Sequence, residues 1–245
     1  MSSFQEALAA LAGAQKSKKG VSLYSRFVNR PIGRVIAAGA YRAGLSPNGV
    51  SAVSALLTAA GLVLLVLATP SLVTGIGVAL LLVLGFAFDS ADGQVARLTG
   101  RSSPAGEWLD HVIDAGKMVL LHSAVLVALW RHVEVGDGWL LVPLAYQAVA
   151  VVMFSALTIV ELLSRTLPTT EGPPPSPSTP RALALLPADY GVLALSFVLW
   201  GAPTAFFGVY TVLLALNALI LAGFLIKWFR ALDAYSSLKP GILDR

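Results

Sequence analysis

The sequence contains no cysteine, and only 12% of its 245 residues are charged. Without cysteine the chain has no disulfide bonds, no thiolate metal sites and no cysteine nucleophile. An ordinary soluble domain has about 25% charged residues, so the low charge argues against that class of protein. Because 56% of the residues are hydrophobic and several uncharged runs approach twenty residues, we predict a polytopic membrane protein.

Six long apolar segments predict the fold class, which is an all-α integral membrane protein with six transmembrane helices. At a rise of about 1.5 Å per residue, each segment can cross or nearly cross a hydrocarbon core of about 30 Å. The second is the shortest, and we expect its helix to continue into the polar residues that follow. The predicted spans are residues 50–68, 72–88, 108–130, 139–163, 183–200 and 206–229.

An amphipathic segment precedes the first span. Arg26, Arg30, Arg34 and Arg42 follow a near four-residue rhythm that places them along one face of a helix, and apolar residues occupy the rest. This pattern predicts an N-terminal amphipathic interfacial helix whose arginines contact anionic lipid headgroups. A short surface helix is expected before it, within residues 2–15.

Composition divides the chain into three predicted regions. Residues 1–45 form cytoplasmic N-terminal and interfacial helices, residues 46–231 form the transmembrane domain, and residues 232–245 form a cytoplasmic tail. The stretch "EGPPPSPSTP" is too rich in proline for a regular helix. It predicts a flexible cytoplasmic loop at about 164–182.

The distribution of basic residues predicts the orientation. With a cytoplasmic N-terminus, fifteen of the seventeen Lys and Arg residues fall on the cytoplasmic side, Arg131 falls outside, and Lys117 lies within a span. This bias follows the positive-inside rule. We therefore expect a multi-pass plasma membrane protein with both termini in the cytoplasm.

Carboxylates are concentrated in one segment, "FDSADGQVARLTGRSSPAGEWLDHVID". Spacings of three and four residues place Asp89 with Asp92, and Asp110 with Asp114, on single faces of two helices joined by a short turn. Four ionised carboxylates near a bilayer cost roughly 2.5 to 3.5 kcal/mol each unless cations balance them. Hard oxygen ligands favour Mg²⁺ or Mn²⁺. The helix dipole alone explains Glu107, which is left out of this predicted site.

Small and basic residues beside the carboxylates indicate a ligand. Gly93 and Gly106 remove side chains where a phosphate or base could approach the backbone. Ala96 is also small and lies one turn beyond Asp92. Arg97 supplies a charge complementary to phosphate.

Together these residues form the pattern D-x-x-D-G-x-x-A-R-x8-G-x-x-x-D-x-x-x-D, which resembles the signature of the CDP-alcohol phosphotransferase family. The resemblance implies transfer of a substituted phosphate from a CDP-alcohol to a second alcohol, with release of CMP. It also implies a homodimer, and two divalent metal ions bound by Asp89, Asp92, Asp110 and Asp114, with Asp114 as general base. The CDP-alcohol pocket would be lined by Gly93, Ala96, Arg97, Ser103, Gly106, Pro47 and Asn48.

The acceptor alcohol is less well defined. The segment "YSRFVNRPIGR" resembles the branch of di-myo-inositol-phosphate phosphate synthases and phosphatidylinositol-phosphate synthases. That branch holds a phosphorylated acceptor with basic residues outside the signature, for which Lys117, Arg165 and Arg181 are the candidates here. They do not form a dense basic set.

Four functions agree with these patterns. The leading one is an Mg²⁺-dependent transferase of phospholipid biosynthesis, which uses CDP-diacylglycerol and a polar alcohol in the lipid bilayer and binds no nucleic acid. A CDP-inositol-dependent transferase of the di-myo-inositol-phosphate phosphate synthase type is the first alternative. A divalent-cation transporter and a catalytically inactive relative are the others, although the chain has no internal repeat typical of many transporters.

Overall fold

A computed structural model describes residues 4–13, 21–167 and 178–238, and no strand occurs within these ranges. Part of the predicted loop (168–177) and part of the predicted tail (239–245) lie outside the described residues. The α-helices are α1 Phe4–Gly13, α2 Arg30–Arg42, α3 Pro47–Leu67, α4 Leu72–Thr99, α5 Pro104–His132, α6 Leu141–Thr166, α7 Thr179–Ala184, α8 Tyr190–Ser196 and α9 Pro203–Leu238.

Five helices of the described chain are long and apolar enough to cross a membrane. They are α3, α4, α5, α6 with the 3-10 turn before it, and α9. They coincide with five of the six predicted spans. The all-α membrane fold is therefore confirmed.

The remaining predicted span, 183–200, is not one helix. Its chain passes through the end of α7, a 3-10 turn at Leu186–Ala188, the short α8, and a second 3-10 helix at Phe197–Gly201. The continuous apolar part, Tyr190–Gly201, is about 18 Å long at a rise of about 1.5 Å per residue. That is shorter than a hydrocarbon core of about 30 Å, so the count of six spans is not confirmed.

Serine and proline residues define where the long helices begin. Ser46, Ser71 and Ser103 each cap a helix by accepting a backbone N–H bond, and proline follows directly in α3 and α5. Gly100 ends α4 in the left-handed conformation at φ 65°. The helix of the second span thus continues through its polar residues to Thr99, as predicted.

Small residues let α2 pack closely on the polar half of α4. A Cβ atom added to Gly33 would lie 2.9 Å from the Ser90 hydroxyl oxygen and 3.1 Å from the Ala87 carbonyl oxygen. The buried residues Ala37, Ala38 and Ala91 continue this contact. Glycine at position 33 therefore sets the distance between the two helices.

The outer side of the N-terminal segment is apolar. Phe27, Ile32 and Val35 are exposed, whereas Arg26 and Arg34 are partly buried. This confirms an amphipathic helix. Its position in the membrane interface remains a prediction.

The Asp189 carboxylate joins the N-terminal segment to α8. One oxygen accepts hydrogen bonds from the Ser22 hydroxyl, and from the backbone N–H (3.1 Å) and hydroxyl (2.7 Å) of Ser25. The other oxygen caps α8 by accepting the Gly191 N–H at 2.8 Å. The Tyr24 ring lies directly against Gly191, and burial, together with Asp189, raises the pKa of its hydroxyl. A single buried carboxylate therefore anchors chain segments that are far apart in sequence.

Candidate functional site

The carboxylates of the predicted site lie on the polar C-terminal part of α4 and near the start of α5. Asp89 is about 26 Å along α4, and Asp110 is about 9 Å from the start of the neighbouring α5, at a rise of about 1.5 Å per residue. The turn formed by Gly100, Ser103 and Pro104 reverses the chain, and both α4 and α5 pack against α3. This reversal brings together residues that are separated by about twenty positions in the sequence.

Three carboxylates share one potential cation position. Oxygen atoms of Asp89, Asp92 and Asp110 all lie within 4.8 Å of one another. Oxygen ligands stand about 2.0 to 2.6 Å from Mg²⁺ or Ca²⁺, so oxygens bound to the same ion lie within about 5 Å. The three side chains therefore fit a divalent cation.

The fourth predicted metal ligand, Asp114, contacts an ammonium group. Lys117 lies one turn further along α5, and its Nζ donates to Asp114 Oδ1 at 3.0 Å. The same nitrogen contacts Asp89 and donates to the Ser54 hydroxyl at 3.1 Å. Lys117 is therefore part of the acidic cluster.

Ser51 on α3 also belongs to the site, although the motif does not include it. Its hydroxyl donates a 2.5 Å hydrogen bond to the Asp92 carboxylate. The available signal is a polar stripe on an otherwise apolar helix, in which Ser51, Ser54 and Thr58 are spaced by three and four residues. All three side chains are buried.

A cavity of about 520 Å³ opens beside the carboxylates. Asp92 and Asp110 form part of its wall, and the starts of α3 and α5 form another part. Backbone N–H groups at helix starts favour anions such as phosphate. The cavity is also lined by all seven predicted CDP-alcohol ligands, Pro47, Asn48, Gly93, Ala96, Arg97, Ser103 and Gly106.

Gly93 and Gly106 differ in their surroundings. A Cβ atom added to Gly93 would meet only the Arg97 guanidinium group, at 3.4 Å, so this backbone faces the cavity. At Gly106 the added atom would lie 3.2 Å from the Ser103 hydroxyl and 3.4 Å from the Asn48 side chain. Ser103 itself caps α5 through the Gly106 N–H. Gly106 therefore lets the starts of α3 and α5 approach each other.

An exposed ion-pair group forms one side of this cavity. Arg165 on α6 donates to Glu107 on α5 at 2.6 Å and to Glu161 at 2.9 Å. Glu107 lines the cavity but does not belong to the group of Asp89, Asp92 and Asp110, and His111 lies beside it. The spacing of four between Glu161 and Arg165 predicts their pair, whereas the contact with Glu107 depends on how α5 packs against α6.

A second cavity, of about 60 Å³, lies next to Lys117. It is much smaller than the first cavity. Arg181 on α7 is exposed and lines neither cavity. The three candidate acceptor ligands Lys117, Arg165 and Arg181 are therefore not brought together. The small cavity is lined by Thr58, Phe86, Asp89, Asp114, Lys117, Met118 and Tyr190.

The long apolar helices define an integral membrane protein. The cavity at their polar ends is lined by carboxylates, by Arg97 and by the starts of two helices, and it suits a phosphate-bearing ligand. Residues 45–231 match the sequence profile of CDP-alcohol phosphatidyltransferases, so the chain belongs to this family. The resemblance seen in the motif is confirmed. The profile does not distinguish the inositol-phosphate branch, which remains a prediction. No curated protein matches the chain at a significant level.

Proposed function

We propose that this protein transfers a substituted phosphate from CDP-diacylglycerol to the hydroxyl of a polar alcohol and releases CMP. The observation that carries this proposal is the family match over residues 45–231. Family membership favours a transferase over a cation transporter. The reaction would be a step of phospholipid biosynthesis.

The large cavity suits the donor. In our proposal Gly93, Ala96 and Arg97 contact the cytidine diphosphate, with Pro47 and Asn48 at the start of α3 nearby. A volume of about 520 Å³ falls within the range of about 300 to 1,000 Å³ that is usual for small-molecule sites.

A lipid donor is supported by the surface next to this cavity. Trp108 and Val112 on α5 are exposed and apolar. Tryptophan is typical of the membrane–water interface. A diacylglycerol moiety could therefore remain in the bilayer while its diphosphate enters the cavity.

The four Asp residues have two different roles in the proposed reaction, which are metal binding and proton transfer. A divalent cation held by Asp89, Asp92 and Asp110 would neutralise the diphosphate and stabilise the charge that develops on the leaving CMP. Asp114 would take the proton from the acceptor hydroxyl as its oxygen bonds to the β-phosphorus. The bond from that phosphorus to the bridging oxygen breaks, and CMP leaves with the bonding electrons.

The contacts of the basic residues favour an uncharged acceptor. Lys117 is engaged by Asp89 and Asp114, and Arg165 is engaged by Glu107 and Glu161. A phosphorylated acceptor would have to compete with these carboxylates. We therefore rank a neutral polyol or amino alcohol above an alcohol phosphate.

A CMP-release assay on the purified protein tests the proposal. CDP-diacylglycerol and CDP-inositol serve as donors, and inositol, inositol phosphate, glycerol phosphate and serine serve as acceptors. We expect release with CDP-diacylglycerol and Mg²⁺ or Mn²⁺, its loss with a chelator, and a fall of at least about 100-fold in Asp114→Asn. Release only from CDP-inositol would support the first alternative. Absence of release, combined with Mn²⁺ uptake into proteoliposomes, would support a transporter.

The same proposal includes a membrane orientation and an assembly state. Fifteen of the seventeen Lys and Arg residues support cytoplasmic termini and a cytoplasmic site in the plasma membrane. Family resemblance supports a homodimer. Native mass spectrometry from lipid nanodiscs would measure the number of chains.

A further inference from the structure

Lys117 is a buried cation within a membrane-spanning helix. Its side chain is 9% exposed. An ammonium group has three donors, and three oxygen-bearing side chains surround this one: Asp89, Asp114 and Ser54. The group therefore occupies a defined position between α3, α4 and α5.

This position lies next to the potential cation position. Asp89 contributes an oxygen to the cluster with Asp92 and Asp110, and it also contacts Lys117. Asp114 contacts the ammonium group as well. The four carboxylates are thus shared between two cation positions, one suited to a divalent ion and one filled by Lys117.

We propose that Lys117 replaces the second metal ion, so that the site binds one divalent cation. The motif resemblance implies two ions, and this chain departs from that number. The inference rests on the proposed metal-dependent function and assigns a residue to it. A divalent ion bridging Asp89 and Asp114 would meet the ammonium group, and Lys117 would first have to give up its buried contacts.

Lys117 already supplies positive charge to two of the four Asp carboxylates, through its contacts with Asp89 and Asp114. The small cavity beside Lys117, at about 60 Å³, is much smaller than the cavity of about 520 Å³ proposed for the donor. The geometry therefore favours a charge-balancing role for Lys117 over an acceptor-binding role.

Counting bound Mn²⁺ tests this inference without an activity measurement. The full chain in detergent is titrated with Mn²⁺, and free Mn²⁺ is followed by electron paramagnetic resonance. We expect about one ion per chain in the wild type and about two in Lys117→Met, which keeps much of the side-chain length but removes the charge. Arg131→Met, at the exposed opposite end of the same helix, should leave the count unchanged.

Two further variants keep the test decisive if Lys117→Met does not fold. Lys117→Arg keeps the charge and should still bind one ion. Asp114→Asn should also bind one ion, because Asp89, Asp92 and Asp110 remain. Two ions or none in the wild type, or loss of an ion in Asp114→Asn, would overturn the inference.

The CMP-release assay separates this inference from the proposed function. One bound Mn²⁺ without CMP release from any donor would refute the transferase and leave the cation arrangement standing. CMP release with two bound ions would refute the role of Lys117 alone.

Discussion

The hydroxyl of Ser51 on α3 donates a 2.5 Å hydrogen bond to the carboxylate of Asp92 on α4. Asp92 is only 7% exposed, so this bond fixes a carboxylate that has little contact with solvent. Hydrogen bonds from outer residues orient metal ligands and tune their affinity. Ser51 therefore links the position of α3 to the geometry of the potential cation position.

Removal of this hydroxyl should weaken metal binding. We expect Ser51→Ala to raise the dissociation constant for Mn²⁺ by about 10- to 100-fold, measured by titration calorimetry. Ser123→Ala is the control, because Ser123 bonds to Gln147 between α5 and α6, away from the acidic cluster. Equal affinity in the two variants would show that the Ser51 contact does not act on the metal ligands.

The close contact between α2 and α4 predicts opposite effects at two glycines of α2. Gly33→Ala should destabilise the protein by about 1 to 3 kcal/mol, because the added methyl group overlaps the Ser90 side chain and crowds the Ala87 carbonyl. Gly39→Ala meets no atom within 4 Å and should stabilise the helix by about 0.5 to 1 kcal/mol. Thermal unfolding in detergent measures both. Equal melting temperatures would contradict the packing described for Gly33.

Asp189 should control attachment of the N-terminal segment. Asp189→Asn removes the charge that Ser22 and Ser25 contact, at a cost of about 1.5 to 3 kcal/mol for hydrogen bonds to a charged group. We expect faster tryptic cleavage after Arg26, read by mass spectrometry. Asp233→Asn, at an exposed position on α9, should cleave at the wild-type rate. Unchanged cleavage in both variants would show that Asp189 does not hold the N-terminal segment in place.

The absence of cysteine makes a direct test of orientation possible. Single cysteines in place of Ser102, in the turn before α5, and Gly138, in the turn before α6, lie at opposite ends of α5 and are exposed. In intact cells a membrane-impermeant maleimide should label Gly138→Cys but not Ser102→Cys. Labelling of both after permeabilisation is the control. The reverse pattern would place the acidic cluster outside the cell.

Local sequence patterns predicted all five long apolar helices of the described residues. Apolar runs located α3 to α6 and α9, and the Ser-Pro pairs at Ser46 and Ser103 explain two of their starts. The segment 183–200 was predicted as a span because it is apolar. Pro187 and the cap formed by Asp189 break its helix, and tertiary contacts of Phe197 and Trp200 bury the fragments.

The site was only partly predictable, because some of its contacts form between different helices. Motif spacing placed the four Asp residues on two helix faces, because that depends on the helical repeat alone. The contacts of Ser51 with Asp92, and of Lys117 with Asp89, depend on the rotation of α3, α4 and α5 about their axes. No periodicity within a single helix contains that information.

The Asp189 contacts also constrain the order of events during synthesis. Ser22 and Ser25 precede their partner by 167 and 164 residues. At a translation rate of about 5 to 20 residues per second, they wait roughly 10 to 30 s for it. Attachment of the N-terminus to α8 therefore comes late in biogenesis, after the helices that carry the four Asp residues have left the ribosome.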